Sequence, residues 1–107
     1  MKKISILGST GSIGVSTLDV IERNPESFQI LALSAGSNVE LFAEQIRKFK
    51  PQVVALFDSK KVPLLKEQIA DLDVEILFGE QGLISVASHS EIDIVVSGVV
   101  GLSLIHI

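Results

Sequence analysis

Short apolar runs alternate along this chain with segments whose apolar residues recur every three or four positions, and few architectures accommodate that alternation. The first run, Ile4-Ser5-Ile6-Leu7, ends at Gly8 and reads as a buried strand. A helix follows over 13–24, with Ile13, Thr17 and Ile21 on one row and Leu18 beside them, until Pro25 forces Asn24 out of helical geometry. A strand over 28–33 leads to a second helix that starts near Asn38, a good N-cap, and carries Val39, Phe42, Ile46 and Phe49 on its apolar face. Pro51 stops that helix, and 53–57 forms the third strand. Ser59 is placed to cap a third helix bearing Val62, Leu65, Ile69 and Leu72, with Pro63 in its first turn. A strand over 74–78, a short helix over 81–88 and a strand over 92–96 complete the pattern. The strands are continuous apolar runs rather than in-and-out alternations, which implies a parallel sheet with helices on both faces. The expected fold is α/β, a Rossmann-like doubly wound parallel sheet of about five strands.

Composition narrows the function classes. The 107 residues suffice for one domain with its own core, and 47% apolar side chains with 21% charged ones exclude a disordered chain. Thirteen acidic residues against nine basic ones give a net charge of −4 with no basic cluster, which argues against nucleic acid or an anionic membrane as the main partner. The absence of cysteine removes disulfide scaffolds and thiolate metal sites. The apolar run after Met1-Lys2-Lys3 is too short for a signal peptide. The uncharged stretch 94–107 is broken by Ser97, Gly98, Gly101 and Ser103 and falls short of the ~20 apolar residues that span a bilayer. A soluble, cytoplasmic protein is expected.

The segment that carries chemistry is Gly8-Ser9-Thr10-Gly11-Ser12-Ile13-Gly14, between the first strand and the first helix. Gly8 permits a sharp turn, Gly11 lets backbone approach a pyrophosphate with no Cβ in the way, and Gly14 lets the helix pack close to the sheet. The helix N-terminus then offers free N–H groups and a positive dipole end to an anion, with Thr10 and Ser12 hydroxyls as further donors. The spacing is GxxGxxG rather than GxGxxG, and the strand before and helix after it support a dinucleotide site over a bare structural turn. Val15 stands where a Walker-type loop needs lysine, which excludes that class. At the end of the second strand, Ser34-Ala35-Gly36-Ser37-Asn38 holds no carboxylate to accept from a ribose 2′-OH. A 2′-phosphate is therefore permitted, although no Arg or Lys stands there to attract it. Ser37 and Asn38 offer hydrogen bonds instead, and Asn38 is equally the N-cap of the second helix.

The glycine turn, together with Ser16-Thr17-Leu18-Asp19-Val20-Ile21, Asn24-Pro25, Ala35-Gly36-Ser37-Asn38-Val39 and Val99-Val100-Gly101, resembles the amino-terminal domain of 1-deoxy-D-xylulose 5-phosphate reductoisomerases. The resemblance spans residues 1–101 and is most specific in the first forty. It implies the NADPH-binding part of a longer homodimeric oxidoreductase. That enzyme uses Mg²⁺ or Mn²⁺ to isomerise a phosphorylated sugar and NADPH to reduce it to methylerythritol phosphate, in non-mevalonate isoprenoid synthesis. Carried over, the family's cofactor contacts fall on Thr10, Gly11, Ser12 and Ile13 and on Gly36, Ser37 and Asn38, beside Gly8 and Gly14 of the turn. Many members carry a basic residue where this chain has Ser37. The family's metal carboxylates, substrate-phosphate residues and active-site lysine and histidine have no counterparts in these 107 residues, so an inactive fragment is expected. His89 reads as a solvated loop residue, His106 has no ligating neighbour, and Asp58 and Asp93 read as helix-entry and strand-entry residues.

After Gly101 the family continues with a small-residue turn and another helix, whereas this chain reads Leu102-Ser103-Leu104-Ile105-His106-Ile107. A transposon-end adapter used in sequencing libraries encodes those six residues in one frame. The expectation is a partial domain over 1–101, incomplete at its C-terminal end, with a non-native tail over 102–107; native codons for that tail in the source gene would refute it. The 92–96 strand is expected beside 4–7, with Ser97, Gly98 and Val99 lining the crevice and an uncovered sheet edge prone to aggregation. Two other classes remain open on the residues alone: the cofactor domain of a semialdehyde or homoserine dehydrogenase, and a stand-alone dinucleotide-sensing module.

Overall fold

The computed structural model describes residues 2–98; the expected tail over 102–107, His106 and Val99 lie outside them. The elements run β1 (Lys2–Leu7), α1 (Ser12–Glu22), β2 (Phe28–Ala35), α2 (Val39–Phe49), β3 (Val53–Leu56), a 3₁₀ turn (Ser59–Lys61), α3 (Val62–Gln68), β4 (Glu75–Phe78), α4 (Gly79–Ala87) and β5 (Ile94–Ser97). All described strand pairs are parallel, in the order β4-β3-β2-β1-β5. The chain steps outward from β1 to β4 and then returns to the far side of β1. Right-handed crossovers place helices on one face during the outward steps and on the other after the reversal. The packing follows that rule. Leu18 and Ile21 of α1, Val39, Phe42 and Ile46 of α2 and Val62 and Leu65 of α3 share one apolar cluster, while Leu83 and Val86 of α4 pack with Leu7, Ala32, Val53 and Ala55 in another.

Each strand divides its side chains between these layers. Ile4 and Ile6 of β1, Val54 and Leu56 of β3 face the three-helix side; Leu7, Val53 and Ala55 face α4. Phe42, Leu33 and Leu65 have no exposed surface, and full burial of such a side chain contributes about 1.5–3 kcal/mol. On the α4 side small residues permit a close approach. A Cβ on Gly82 would meet Leu77 atoms at 3.1 Å and the Ala55 Cβ at 3.4 Å. Along the β1–β2 seam Ile4 pairs with Ile30 but Ser5 pairs with Ala32, so Leu31 is skipped.

Several boundaries differ from the sequence reading for identifiable reasons. The inward face of α1 is Gly14, Leu18 and Ile21 rather than the Ile13–Thr17–Ile21 row, and Ile13 is 55% exposed. Close seating of Gly14 against the preceding turn sets the helix's rotation. Asp58, not Ser59, closes the entry to the third helical segment: its Oδ1 accepts from the Lys60 N–H at 3.1 Å and caps the 3₁₀ turn. Pro63 then occupies the first turn of α3, where its missing N–H leaves no helical bond unmade. Ile69 and Leu72 follow the helix's end at Gln68, and Ile69 is still buried in the core.

An exposed arginine fork ties α2 to the segment after α3. Arg47 Nη1 and Nη2 reach Asp71 Oδ2 and Oδ1 at 3.0 and 2.7 Å, and Nη2 donates to the Gln68 carbonyl at 2.6 Å. The hydrogen bonds from Arg47 hold the Asp71 carboxyl below the usual carboxylate range. A lowered native pKa means the pair's contribution is present at neutral pH and is lost as pH falls through that value. Solvent screening keeps the contribution small. We predict that an NMR titration places Asp71 below the ordinary aspartate value, that Arg47→Met raises it toward that value, and that unfolding at neutral pH barely changes.

Candidate functional site

The β1–α1 corner is built almost entirely from backbone. Gly8 follows β1 with φ +76°, a conformation that glycine adopts without strain. The Gly8 and Ser9 N–H groups both donate to the Ser34 carbonyl of β2, at 3.0 and 2.8 Å, and Ser34 Oγ lies 3.2 Å from the Gly8 nitrogen as a further acceptor. Ser9 is fully buried and fixes the turn to α2: its hydroxyl donates to Gln45 Oε1 at 2.7 Å, while Gln45 Nε2 donates to the Ser9 carbonyl at 2.8 Å. Gly11 donates to the Gly8 carbonyl at 3.1 Å and serves as the N-cap of α1, a cap with no side chain.

The first turn of α1 is consequently open. Val15 is the first residue to donate back, to the Gly11 carbonyl at 2.9 Å. The N–H groups of Ser12, Ile13 and Gly14 are those that an α-helix leaves without internal acceptors. No acidic residue sits in this turn, and Gly11, Ser12 and Ile13 are exposed. The positive end of the helix dipole therefore faces solvent through unshielded donors. A Cβ on Gly14 would fall 2.4 Å from the Gly8 carbonyl oxygen and 2.5 Å from Ser9 Cα, so the helix seats backbone against backbone there. Gly11 differs: a Cβ would meet only the Gly8 oxygen, at 3.5 Å, an ordinary contact that faces open space. The fold demands glycine at 14, whereas at 11 the missing side chain leaves room outside the protein.

The end of β5 closes one side of the corner. Gly98 donates to the Leu7 carbonyl at 2.8 Å, and a Cβ on it would lie 3.3 Å from Ile13 Cβ and 3.5 Å from the Gly14 nitrogen. The crevice between the carboxyl ends of β1 and β5 is thus where strand order reverses, the usual ligand position in an open α/β sheet. On the other side, residues 36–38 follow β2 and are exposed. Asn38 Oδ1 accepts from the Leu41 N–H at 3.3 Å as the N-cap of α2, which leaves its amide Nδ2 as a donor. The Ser37 carbonyl accepts from the Val39 N–H at 2.9 Å and from Lys61 Nζ at 3.4 Å.

Gly8, Thr10, Gly11, Ser12, Ile13 and Gly14 therefore share one corner, and Gly36, Ser37 and Asn38 stand at the neighbouring strand's end. Sequence reasoning missed Ser34 and Gln45, which hold the corner in place. A glutamine beside the apolar stripe of α2 and a serine inside the apolar run of β2 were the available signals. The other singled-out polar residues stand elsewhere. Asp93 Oδ2 accepts from the Lys3 N–H at 2.8 Å and His89 Nδ1 from the Glu91 N–H at 3.2 Å, near the amino ends of β1 and β5. A cavity of about 600 Å³ lined by Ile21, Pro25, Phe28 and Phe49 also opens away from the glycine corner, beside the start of β2. Among the described residues no three His, Cys, Asp or Glu side chains gather as a metal site, and no helix is long and apolar enough to cross a membrane.

A sequence model of the family described as 1-deoxy-D-xylulose 5-phosphate reductoisomerase matches residues 4–106. This chain belongs to that family. A family enzyme from Crocosphaera subtropica is 50% identical over 103 residues, covering 94% of this chain and 26% of its own length. The chloroplastic enzyme from Oryza sativa subsp. japonica is 53% identical over 102 residues, covering 94% and 22%. A crystal structure of the reductoisomerase in complex with NADPH, fosmidomycin and magnesium superposes with a TM-score of 0.88 at 35% identity, over 92% of this chain and 24% of that one. The Zymomonas mobilis enzyme in complex with NADPH gives 0.80 at 36% identity, over 84% and 24%. The chain spans about a quarter of the length of these relatives. Family membership removes the semialdehyde and homoserine dehydrogenase alternatives.

The two helix-start glycines should separate in their effects on folding. Gly14→Ala is expected to cost about 3 kcal/mol through overpacking, and Gly11→Ala less than about 1 kcal/mol, both read by chemical denaturation. Gln45→Leu, which strips partners from the buried Ser9 hydroxyl and carbonyl, should cost about 2 kcal/mol in the same assay.

Proposed function

We propose that this chain is the NADPH-binding portion of an enzyme that converts 1-deoxy-D-xylulose 5-phosphate to 2-C-methyl-D-erythritol 4-phosphate. One observation carries the reading: the first turn of α1, whose N-cap Gly11 supplies no side chain, has space in front of it and opens at the strand reversal between β1 and β5. A pyrophosphate suits that cradle. The N–H groups of Ser12, Ile13 and Gly14 donate to its oxygens, the helix dipole favours its charge, and the Thr10 and Ser12 hydroxyls add donors. Gly8 and Gly11 keep side chains out of its path, and Gly14 holds α1 close enough for its amides to reach. Gly36, Ser37 and Asn38 serve the adenosine end, and residues 34–38 themselves hold no carboxylate to oppose a 2′-phosphate.

When bound, NADPH supplies the reducing equivalent for the carbonyl of the isomerised sugar phosphate. The divalent metal and the residues that handle the substrate are assigned to the part of the relatives' length that this chain does not span. Residues 1–101 alone are accordingly expected to bind cofactor without turnover. Homodimeric assembly and a cytoplasmic setting belong to the same proposal, tested by sedimentation of the whole enzyme and fractionation of the source cells.

Titration of the chain with NADPH tests the corner. Gly11→Val should weaken binding at least tenfold, about 1.4 kcal/mol, while the chain stays folded and loses no more than about 1 kcal/mol of stability from the poorer N-cap. Unaltered affinity in a folded Gly11→Val variant would refute the assignment of the pyrophosphate to this turn.

A further inference from the structure

The segment after β2 has no cation of its own, yet the fold brings one to it from the next strand. β3 pairs with β2 up to Ala35 and Leu56, and the two chains stay joined beyond the strand ends. The Phe57 N–H donates to the Ala35 carbonyl at 2.9 Å and the Asp58 N–H to the Gly36 carbonyl at 3.0 Å. Asp58 then turns the chain: its Oδ1 accepts from the Lys60 N–H at 3.1 Å and its carbonyl from the Lys61 N–H at 3.0 Å. That turn delivers Lys61 Nζ to 3.4 Å from the Ser37 carbonyl.

The contact is long and uses one of the ammonium group's three donors, so the charge stands beside residues 36–38 largely uncommitted. A phosphate is the stronger acceptor and would draw it off a neutral carbonyl. Of the acids on this edge, Asp58 has one oxygen engaged by the Lys60 N–H, and Glu40 lies in the first turn of α2. Lys60 is next in sequence but makes no side-chain bond to residues 36–38 among the described contacts.

We propose that Lys61 is the specificity-determining cation for the adenosine 2′-phosphate, reaching across from the β3 exit to do what a basic residue at position 37 would do. The proposal rests on NADPH binding at the glycine corner. Dissociation constants for NADPH and NADH, measured on the full chain and its variants, separate the two ideas. In Lys61→Met the NADPH affinity should fall about tenfold, NADH affinity should stay within about twofold, and the salt dependence of NADPH binding should flatten. Lys60→Met should change NADPH affinity less than about threefold, and adding Ser37→Arg to Lys61→Met should restore the NADPH preference. Lys61 is exposed, so unchanged unfolding of Lys61→Met certifies the comparison. Equal losses for both dinucleotides, no loss for either, or an equal effect at Lys60 would overturn the role of Lys61 while leaving the corner's function intact. Failure of the unaltered chain to bind either dinucleotide would overturn both.

Discussion

Everything at the carboxyl edge of the sheet depends on one contact of backbone with backbone, where Gly14 seats α1 on Gly8 and Ser9. The contact leaves no volume for a side chain at position 14, and so it determines how α1 is rotated and how near it lies. Leu18 and Ile21 are turned into the three-helix layer, while Ile13 is turned outward beside Gly98. The same rotation presents the first-turn amides to the crevice. The packing of α1 and the exposure of its first turn are thus consequences of a single close approach.

The corner is kept still by buried polar groups whose hydrogen bonds are complete. Ser9, Ser34 and Gln45 are each under a tenth exposed, and no buried side-chain nitrogen or oxygen among the described residues lacks a partner. Ser34 accepts two turn amides through its carbonyl, and Gln45 both gives and takes at Ser9. Such a network specifies one arrangement, because any other strands a polar atom in a dry interior. An anion site made of amides works best when its donors need no rearrangement on binding. The Ser9–Gln45 clamp would supply that rigidity to the proposed site.

The layer order was legible because continuous apolar runs and 3–4 spacing are consequences of two-sided and one-sided burial, and the chain shows both. The turn at Gly8 and the seating at Gly14 were legible for a different reason: each requires glycine, at a spacing that a strand–turn–helix imposes. Less legible was the rotation of α1, since Ile13 reads as a core residue until Gly14 is known to be the point of contact. At the entry to the third helical segment the sequence offered both Asp58, as a helix-entry residue, and Ser59, as a cap, and the 3₁₀ geometry decides for Asp58. Gln45 and Lys61 escaped notice altogether. Their partners, Ser9 and Ser37, lie 36 and 24 residues away, and no local pattern encodes which strand ends become neighbours.

The skipped residue on the β1–β2 seam has a consequence for how this edge is tuned. Because Ile4 pairs with Ile30 but Leu7 with Ser34, β2 carries one more residue than β1 over the same stretch. Leu31 works as a vernier between them. It lets Ile30 and Leu33 point into the same layer as Ile4 and Ile6 although the two strands are out of phase. It also sets a small hydroxylic residue, rather than a leucine, opposite the last residue of β1. The alignment of the glycine turn with the end of β2 is therefore offset from within the sheet, at a residue whose side chain is fully buried.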